Sequence, residues 1–313
     1  MNEFEIISPE KMKGLQVFFG TSEYRTSHLH PEWELIWVLE EALSVGWRRQ
    51  HLSLKSGDIF LFQPNEIHEF QKIEKPGVFF CVQISPDFSQ NIPSVSLDTG
   101  LVSRSVSEGQ LCRIRELLAG LADAYLHGGP YWELLCQGQG ALLLHALLTH
   151  LPCRPLTALD TSNLTIRNAR LSRLFKFVEE NHTQKIKLSD FAAAEGCSLS
   201  YMSHFVKEAL NQSFQDYVRS VRFRHACRLI DAGATSMLEV CMESGFSDYR
   251  YFSKTFQAFC GMTPAARCRK AKAVRQQPAT PRSIRSVEHF CSEEEAEILF
   301  EKYLAPFLPS SEL

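Results

Sequence analysis

Between residue 15 and about residue 85 the apolar positions come in short runs, GLQVFFG, ELIWVLE, HLSLKSGDIFLFQ and PGVFFCVQIS, rich in Val, Ile, Phe and Trp and broken by Gly, Pro and Asn. Runs of this length between turn formers predict strands, and with no helix-length segment among them the strands predict a small barrel or sandwich. At residue 107 the period changes. EGQLCRIRELLAGLADAYL and YWELLCQGQGALLLHALLTHL carry Leu at helical spacing on either side of HGGP, which predicts a helical hairpin with two apolar faces. Residues 152–166, PCRPLTALDTSNLTI, show no period and read as a linker. Beyond them the pattern is helical to about residue 270, with breaks at EGCS, LNQS, DAGAT, SGFSD and CGMTP. SEEEAEILFEKYLAPFL then predicts an acidic amphipathic helix within an extension over 276–313. The expected class is multi-domain α+β: a β-barrel with a helical hairpin over 1–151, the linker 152–166, and an all-α unit over 167–275.

Length supports this division, since 313 residues hold two units on a prior of roughly 100 to 200 residues per domain. A hydrophobic content of 44% and a charged content of 22% are those of an ordinary globular chain. The start, MNEFEIISPE, is acidic, and the longest apolar patch, ALLLHALL, is far short of the roughly 20 residues of a membrane span. A cytoplasmic protein without a membrane partner is expected. The ten cysteines form no CxxC pair, so neither a disulfide framework nor a structural zinc site is indicated. Charge changes the picture more. Residues 1–165 hold 12 Lys/Arg against 19 Asp/Glu, net −7; residues 166–275 hold 18 against 10, net +8; the remainder holds 3 against 7, net −4. A basic block between two acidic ones points to a polyanion partner for the middle block.

That block repeats itself at an offset of 50, seen when YMSHFVK at 201–207 is laid over YFSKTFQ at 251–257. Each copy reads as a short helix, a turn near a glycine (Gly196, Gly245), and a second helix ending at a residue suited to the left-handed conformation, Asn211 or Gly261. This is a helix-turn-helix written twice. The second helix of such a unit enters the DNA major groove. In the first copy Met202, Phe205 and Val206 make an apolar stripe opposite Ser200, Ser203, His204 and Lys207. In the second, Phe252 and Phe256 stand opposite Arg250, Ser253, Lys254 and Gln257. Between the copies, FQDYVRSVRFRHACRLIDAG predicts a connecting helix; its Arg219, Arg222 and Arg224 contact phosphate or make internal salt bridges. At these residues, and above all at GFSDYRYFSKTFQAFCGMTP, the block resembles the DNA-binding domain of the AraC/XylS family of bacterial transcription regulators. The resemblance implies base-reading positions at Ser200, Ser203, His204, Tyr249, Arg250, Ser253 and Lys254. The chain departs from the family's pattern at Asn211, where glycine is usual, and after Thr263-Pro264, where Ala266 and Arg267 stand in place of an aromatic.

The first 85 residues resemble, more loosely, the cupin-type sensor barrel found ahead of this domain. HLHPEWE places His28, His30 and Glu34 at the spacing of the first cupin motif, and GDIFLFQPNEIHEF supplies His68 in the manner of the second. On a strand, residues 28 and 30 face one way, so both imidazoles can enter the barrel with Glu34 and His68. The expected occupant is a small-molecule effector held by these four residues and Trp37, with no metal or other cofactor. A metal site and histidines that serve only the fold are the alternatives, and Trp33, Trp37 and Trp47 are either pocket walls or core. The resemblance implies a non-enzymatic, effector-sensing transcription regulator. Its expected partners are double-stranded promoter DNA, the effector, a second copy of itself through the hairpin, and RNA polymerase if it activates. The rival is a metal-dependent cupin enzyme fused to a DNA-binding module.

Overall fold

The computed structural model describes residues 11–48, 50–86, 94–234, 236–275 and 288–308. The strand-like text folds into two facing antiparallel sheets. β1 (Leu15–Ser22), β3 (Trp33–Glu40), β6 (Ile59–Phe62) and β8 (Gly77–Ile84) form one, in the order β1-β8-β3-β6. β2 (Tyr24–His28), β4 (Leu43–Trp47), β5 (Gln50–Leu54) and β7 (His68–Lys72) form the other, in the order β2-β7-β4-β5. The alternation of β3 assigns its faces: Ile36 and Val38 join Phe60, Phe62, Phe70 and Phe79 between the sheets, while Trp33, Leu35, Trp37 and Leu39 point outward into a second core. A strand covered on both faces needs a nearly continuous apolar run, which ELIWVLE supplies.

The outer core is closed by the hairpin of α1 (Glu108–His127) and α2 (Trp132–His150), at the position the Leu periodicity predicts. Ser107 and Gln110 start α1 with a reciprocal capping box. The expectation of an irregular linker over 152–166 is corrected. β10 (Cys153–Pro155) pairs with β9 (Val95–Leu97), and α3 (Ala158–Asn181) begins at once behind a capping box of Thr157 and Asp160. The polar, unperiodic text there reflects an exposed first half of a long helix, whose Thr161 and Thr165 hydroxyls donate back to the carbonyls four residues earlier.

The basic block is helical as predicted: α4 (Leu188–Ala194), α5 (Leu199–Leu210), α6 (Phe214–Ala232), α7 (Met237–Glu243), α8 (Tyr249–Cys260) and α9 (Pro264–Arg275). It has two cores. The first gathers α3, α4, α5 and the front of α6; the second gathers the back of α6 with α7, α8 and α9. Asn211 and Gly261 are both left-handed, with φ of 54° and 70°. Gly245 is left-handed too, and a Cβ there would come within 2.5 Å of the His182 carbonyl oxygen, so the second turn needs glycine for space as well as for φ.

Within the extension the expected acidic helix is present, and residues 288–308 pack on the sensor; residues 276–287 and 309–313 lie outside the described residues. β11 (Glu288–Phe290) pairs antiparallel with the outer edge of β1, Gly20 opposite Phe290. α10 (Glu293–Tyr303) sets Ala296 and Phe300 into the outer core beside Leu304. Lys302 pairs with Glu40 at 2.9 Å, and His127 of α1 bridges Asp123 and Glu297, each at 2.8 Å. No helix among the described residues is long and apolar enough to cross a membrane.

Candidate DNA interface and sensor site

The repeat persists in three dimensions. α5 and α8 are each 12 residues long, and α4 and α7 each 7. Ser198 caps α5 by accepting the Tyr201 amide at 3.2 Å, and Asp248 caps α8 by accepting the Tyr251 amide at 2.7 Å. The buried stripes are Met202, Val206 and Leu210 in one helix and Phe252, Phe256 and Cys260 in the other, three pairs in register at the same offset. Phe205, expected in the first stripe, is only half-buried, and Thr255 is the buried residue at the equivalent place. On the outer faces Ser200, Ser203, His204, Lys207, Tyr249, Arg250 and Lys254 are exposed and Ser253 is half-buried. Each reading helix is also steadied at its first turn: Arg170 donates to the Tyr201 hydroxyl at 2.7 Å, and Arg219 lies 3.5 Å from that of Tyr251.

Two of the α6 arginines hold the fold together. Arg222 donates to the carbonyls of His182 and Gln184 at 2.6 and 2.7 Å, and Arg224 bridges Glu179 and the Thr26 hydroxyl at 2.6 and 2.8 Å. Of the two alternatives for these side chains, the internal one applies. Arg219 additionally pairs with Asp216 at 2.5 Å.

At one end of the barrel interior the structure gathers His28, His30, Glu34 and His68. Register explains it: His28 faces His68 across β2 and β7, and Glu34 faces Gln83 across β3 and β8. Gln83 Nε2 donates to Glu34 Oε2 at 2.8 Å, and His30 Nε2 makes an ion-pair contact with the same oxygen at 2.6 Å. Burial opposes the charge on His30, but Glu34 and Glu32 override it and raise its pKa to about 9. Burial likewise opposes the Glu34 carboxylate, and His30 holds it well below the usual carboxylate range. His28 and His68 are different. Burial pushes both below the ordinary imidazole value: His28 the further, with Arg25, His68 and His30 adding to the effect, and His68 less, because Glu34 opposes the burial. Nδ1 of His28 lies 2.9 Å from the Thr26 carbonyl and Nδ1 of His68 2.8 Å from that of Glu66, so in each neutral ring the proton sits on Nδ1. The two Nε2 atoms are then lone-pair donors, buried and without a hydrogen-bond partner; His68 Nε2 stands 3.6 Å from Glu34 Oε1, beyond hydrogen-bond range. One nitrogen from each of His28, His30 and His68 lies within 4.8 Å of the others. Phe62 stacks on the His68 ring at 4.1 Å and closes the other side.

Both ends of the chain thus carry a built site, and known families match each. The AraC-like ligand binding domain matches residues 19–144, and a helix-turn-helix domain matches 191–270. The chain joins an AraC-like ligand binding domain to a helix-turn-helix domain. Its relatives include the Msm operon regulatory protein of Streptococcus mutans, 27% identical over 69% of this chain and 77% of that protein. The virulence regulon transcriptional activator VirF of Yersinia enterocolitica is 31% identical over 64% of this chain, which spans 62% of VirF. Among solved structures, ToxT from Vibrio cholerae aligns over 82% of this chain and 98% of its own, at 13% identity and a TM-score of 0.42.

In the AraC-like sensor domain Trp37 does not join the histidine cluster, which corrects its placement among the effector residues. As an odd position of β3 it faces the hairpin, packed edge-on against Phe307 at 5.4 Å with the Arg115 guanidinium 5.7 Å from its ring. Trp33 likewise lies in the outer core, while Trp47 lies between the sheets. Strand alternation alone separates 34 from 37, so the signal was present in the sequence. Other contacts were missed. Tyr24 and Glu23 of the sensor reach the DNA-binding unit, and a cleft of about 210 Å³ opens between the sensor sheet and the α5–α6 turn, lined by Trp47, His51, Glu69, Asn211 and Gln212 among others. YRTSH carries no apolar alternation, yet its first four residues are all buried, and that mismatch is the trace of a strand covered by another unit.

Proposed function

We propose that this regulator binds double-stranded promoter DNA by placing α5 and α8 in successive major grooves on one face of the duplex, roughly 34 Å apart. Ser200, Ser203, His204, Tyr249, Arg250, Ser253 and Lys254 meet base edges, and Lys207 meets phosphate. The observation that carries this reading is the pair of in-register helices whose polar faces both stay open while their apolar faces are buried. The cluster of His28, His30, Glu34 and His68 receives the effector. The chain works in the cytoplasm, as a homodimer through α2, without catalysis of its own, and meets RNA polymerase where it activates. The dimer is supported by the outer face of α2, where Leu134, Leu135 and Leu142 are each about half or more exposed.

The test is selection of bound sequences from random duplexes. The expected result is a site with two half-sites about one helical turn apart and a steep fall of affinity with salt. Arg250→Ala should relax the preference at one position of one half-site by about 1–3 kcal/mol, whereas Lys207→Ala should weaken all sequences alike. Equal binding of all duplexes at low ionic strength would overturn the reading.

A second reading of the sensor site is favoured by its donor set: the effector is a divalent transition-metal ion. His28 and His68 present Nε2 lone pairs while their Nδ1 protons are fixed on backbone carbonyls, the arrangement that orients metal-binding imidazoles. His30, on giving up the proton it holds against Glu34, and Glu34 itself would complete a nitrogen and oxygen set that suits zinc, iron, manganese or nickel.

A further inference from the structure

The two reading units have separate cores and share α6, which at 19 residues is about 28 Å long. A strand of the sensor spans both. At its far end, Leu29 together with Ile67 packs on the core of the first unit. At its near end, Tyr24 enters the core of the second, its ring edge-on to Phe223 and Phe259 at 5.7 and 5.2 Å. Between these points Thr26 accepts from Arg224 and Ser27 from Gln212, at 2.8 and 3.2 Å. β2 therefore lies along α6 as a second connection between the units.

The β1–β2 corner adds an ion pair. Glu23 Oε2 is 2.7 Å from Arg267 Nη1, and its other oxygen 3.4 Å from Lys270 Nζ. Arg267 also holds Asp231, near the end of α6, at 2.9 Å. Burial disfavours the Glu23 carboxylate, yet Arg267, Lys270 and Lys72 together hold it below the usual range. Arg267 stands where the resembled pattern has an aromatic after Thr263-Pro264. The side chain at this position pairs within its own unit, with Asp231, and also reaches the sensor. Only 8% exposed, it loses one of two carboxylates if the second unit turns away, at a cost typical of a broken buried pair.

We infer that Glu23 and Tyr24 are positioning residues that set the second reading helix relative to the first, so that the sensor determines which half-site spacing the regulator accepts. The inference rests on the reading that α5 and α8 both bind DNA. Moving one half-site by a single base pair turns it by about 35° around the duplex axis, because a turn holds 10–10.5 base pairs. A second unit held at two points follows that turn poorly, and one held by α6 alone follows it more readily. The strand that holds it also carries His28, so whatever occupies the barrel bears on the same brace.

The experiment uses the full chain and a duplex selected with it, together with duplexes whose half-sites are moved one base pair closer or further apart, and duplexes carrying either half-site alone. The parent should prefer its own spacing by about tenfold or more, and Glu23→Gln and Tyr24→Ala should reduce that preference to about threefold, with affinity for either single half-site unchanged. Glu23→Gln conserves shape, so it carries the test even where Tyr24→Ala fails to fold. Parental spacing preference in Glu23→Gln overturns the inference, as does a loss at single half-sites that matches the loss at the full site. A parent that binds neither half-site overturns the reading of α5 and α8, and this inference with it.

Discussion

Single residues decide what the sensor end can bind. Two neutral imidazoles with their protons parked on carbonyls leave two lone pairs buried with no donor to satisfy them, and a buried polar atom without a partner is costly unless something arrives to meet it. If that partner is a metal ion, zinc or nickel added to the apo-protein should raise its melting temperature in a saturable way. At a hundredfold excess over Kd the gain is about 2.7 kcal/mol. His68→Ala should abolish the shift without changing DNA binding in the absence of metal. An unchanged melting curve in the parent, with a shift on adding an organic effector, would return the site to the first reading. The four residues were legible from spacing, since HxHxxxE with a later histidine brings them together on paper. Which nitrogen each ring presents was not, because it depends on the Thr26 and Glu66 carbonyls, and backbone direction cannot be read from residue type.

At the scale of elements, periodicity says which face of a helix is apolar but not what will cover it. The repeat in the basic block was readable because its two copies carry their own partners: Met202 and Phe252 bury themselves within their own units. The α10 stripe, by contrast, finds its partner more than 170 residues earlier, in α1 and β1. Nothing in SEEEAEILFEKYL names that distant surface. The docking can be tested directly. Phe300→Ala should destabilise the sensor by about 3–5 kcal/mol, measured by chemical denaturation, although the residue lies outside the matched sensor domain. The clip at His127 adds a pH dependence. Glu297 first, and Asp123 with it, raise the His127 pKa against a smaller opposing effect of burial. Its contribution is therefore fully present below the unfolded value of about 6.5 and is lost as pH rises through the higher folded value. Hydrogen exchange in α10 should accelerate over that interval, and His127→Gln should remove the dependence.

The whole molecule brings together a sensor, a reader and an open apolar face. If α2 joins two copies, Leu135→Asp with Leu142→Asp should yield a monomer by sedimentation that still binds a single site, about as tightly per chain, but loses the gain from linking two readers. A double variant that sediments as the parent does would place the contact elsewhere. The arrangement has one more consequence. α3 leaves the sensor and β11 returns to it, so the reader is inserted in the sensor's chain, and the sensor's last strand and helix are synthesised after the entire reader. A nascent chain released at any point before then leaves the rim of β1 unpaired and the apolar surface that Phe300 covers bare, both of them features that promote aggregation. A polypeptide that stops short of residue 288 can therefore carry both helix-turn-helix units complete and still lack the strand and helix that finish its sensor.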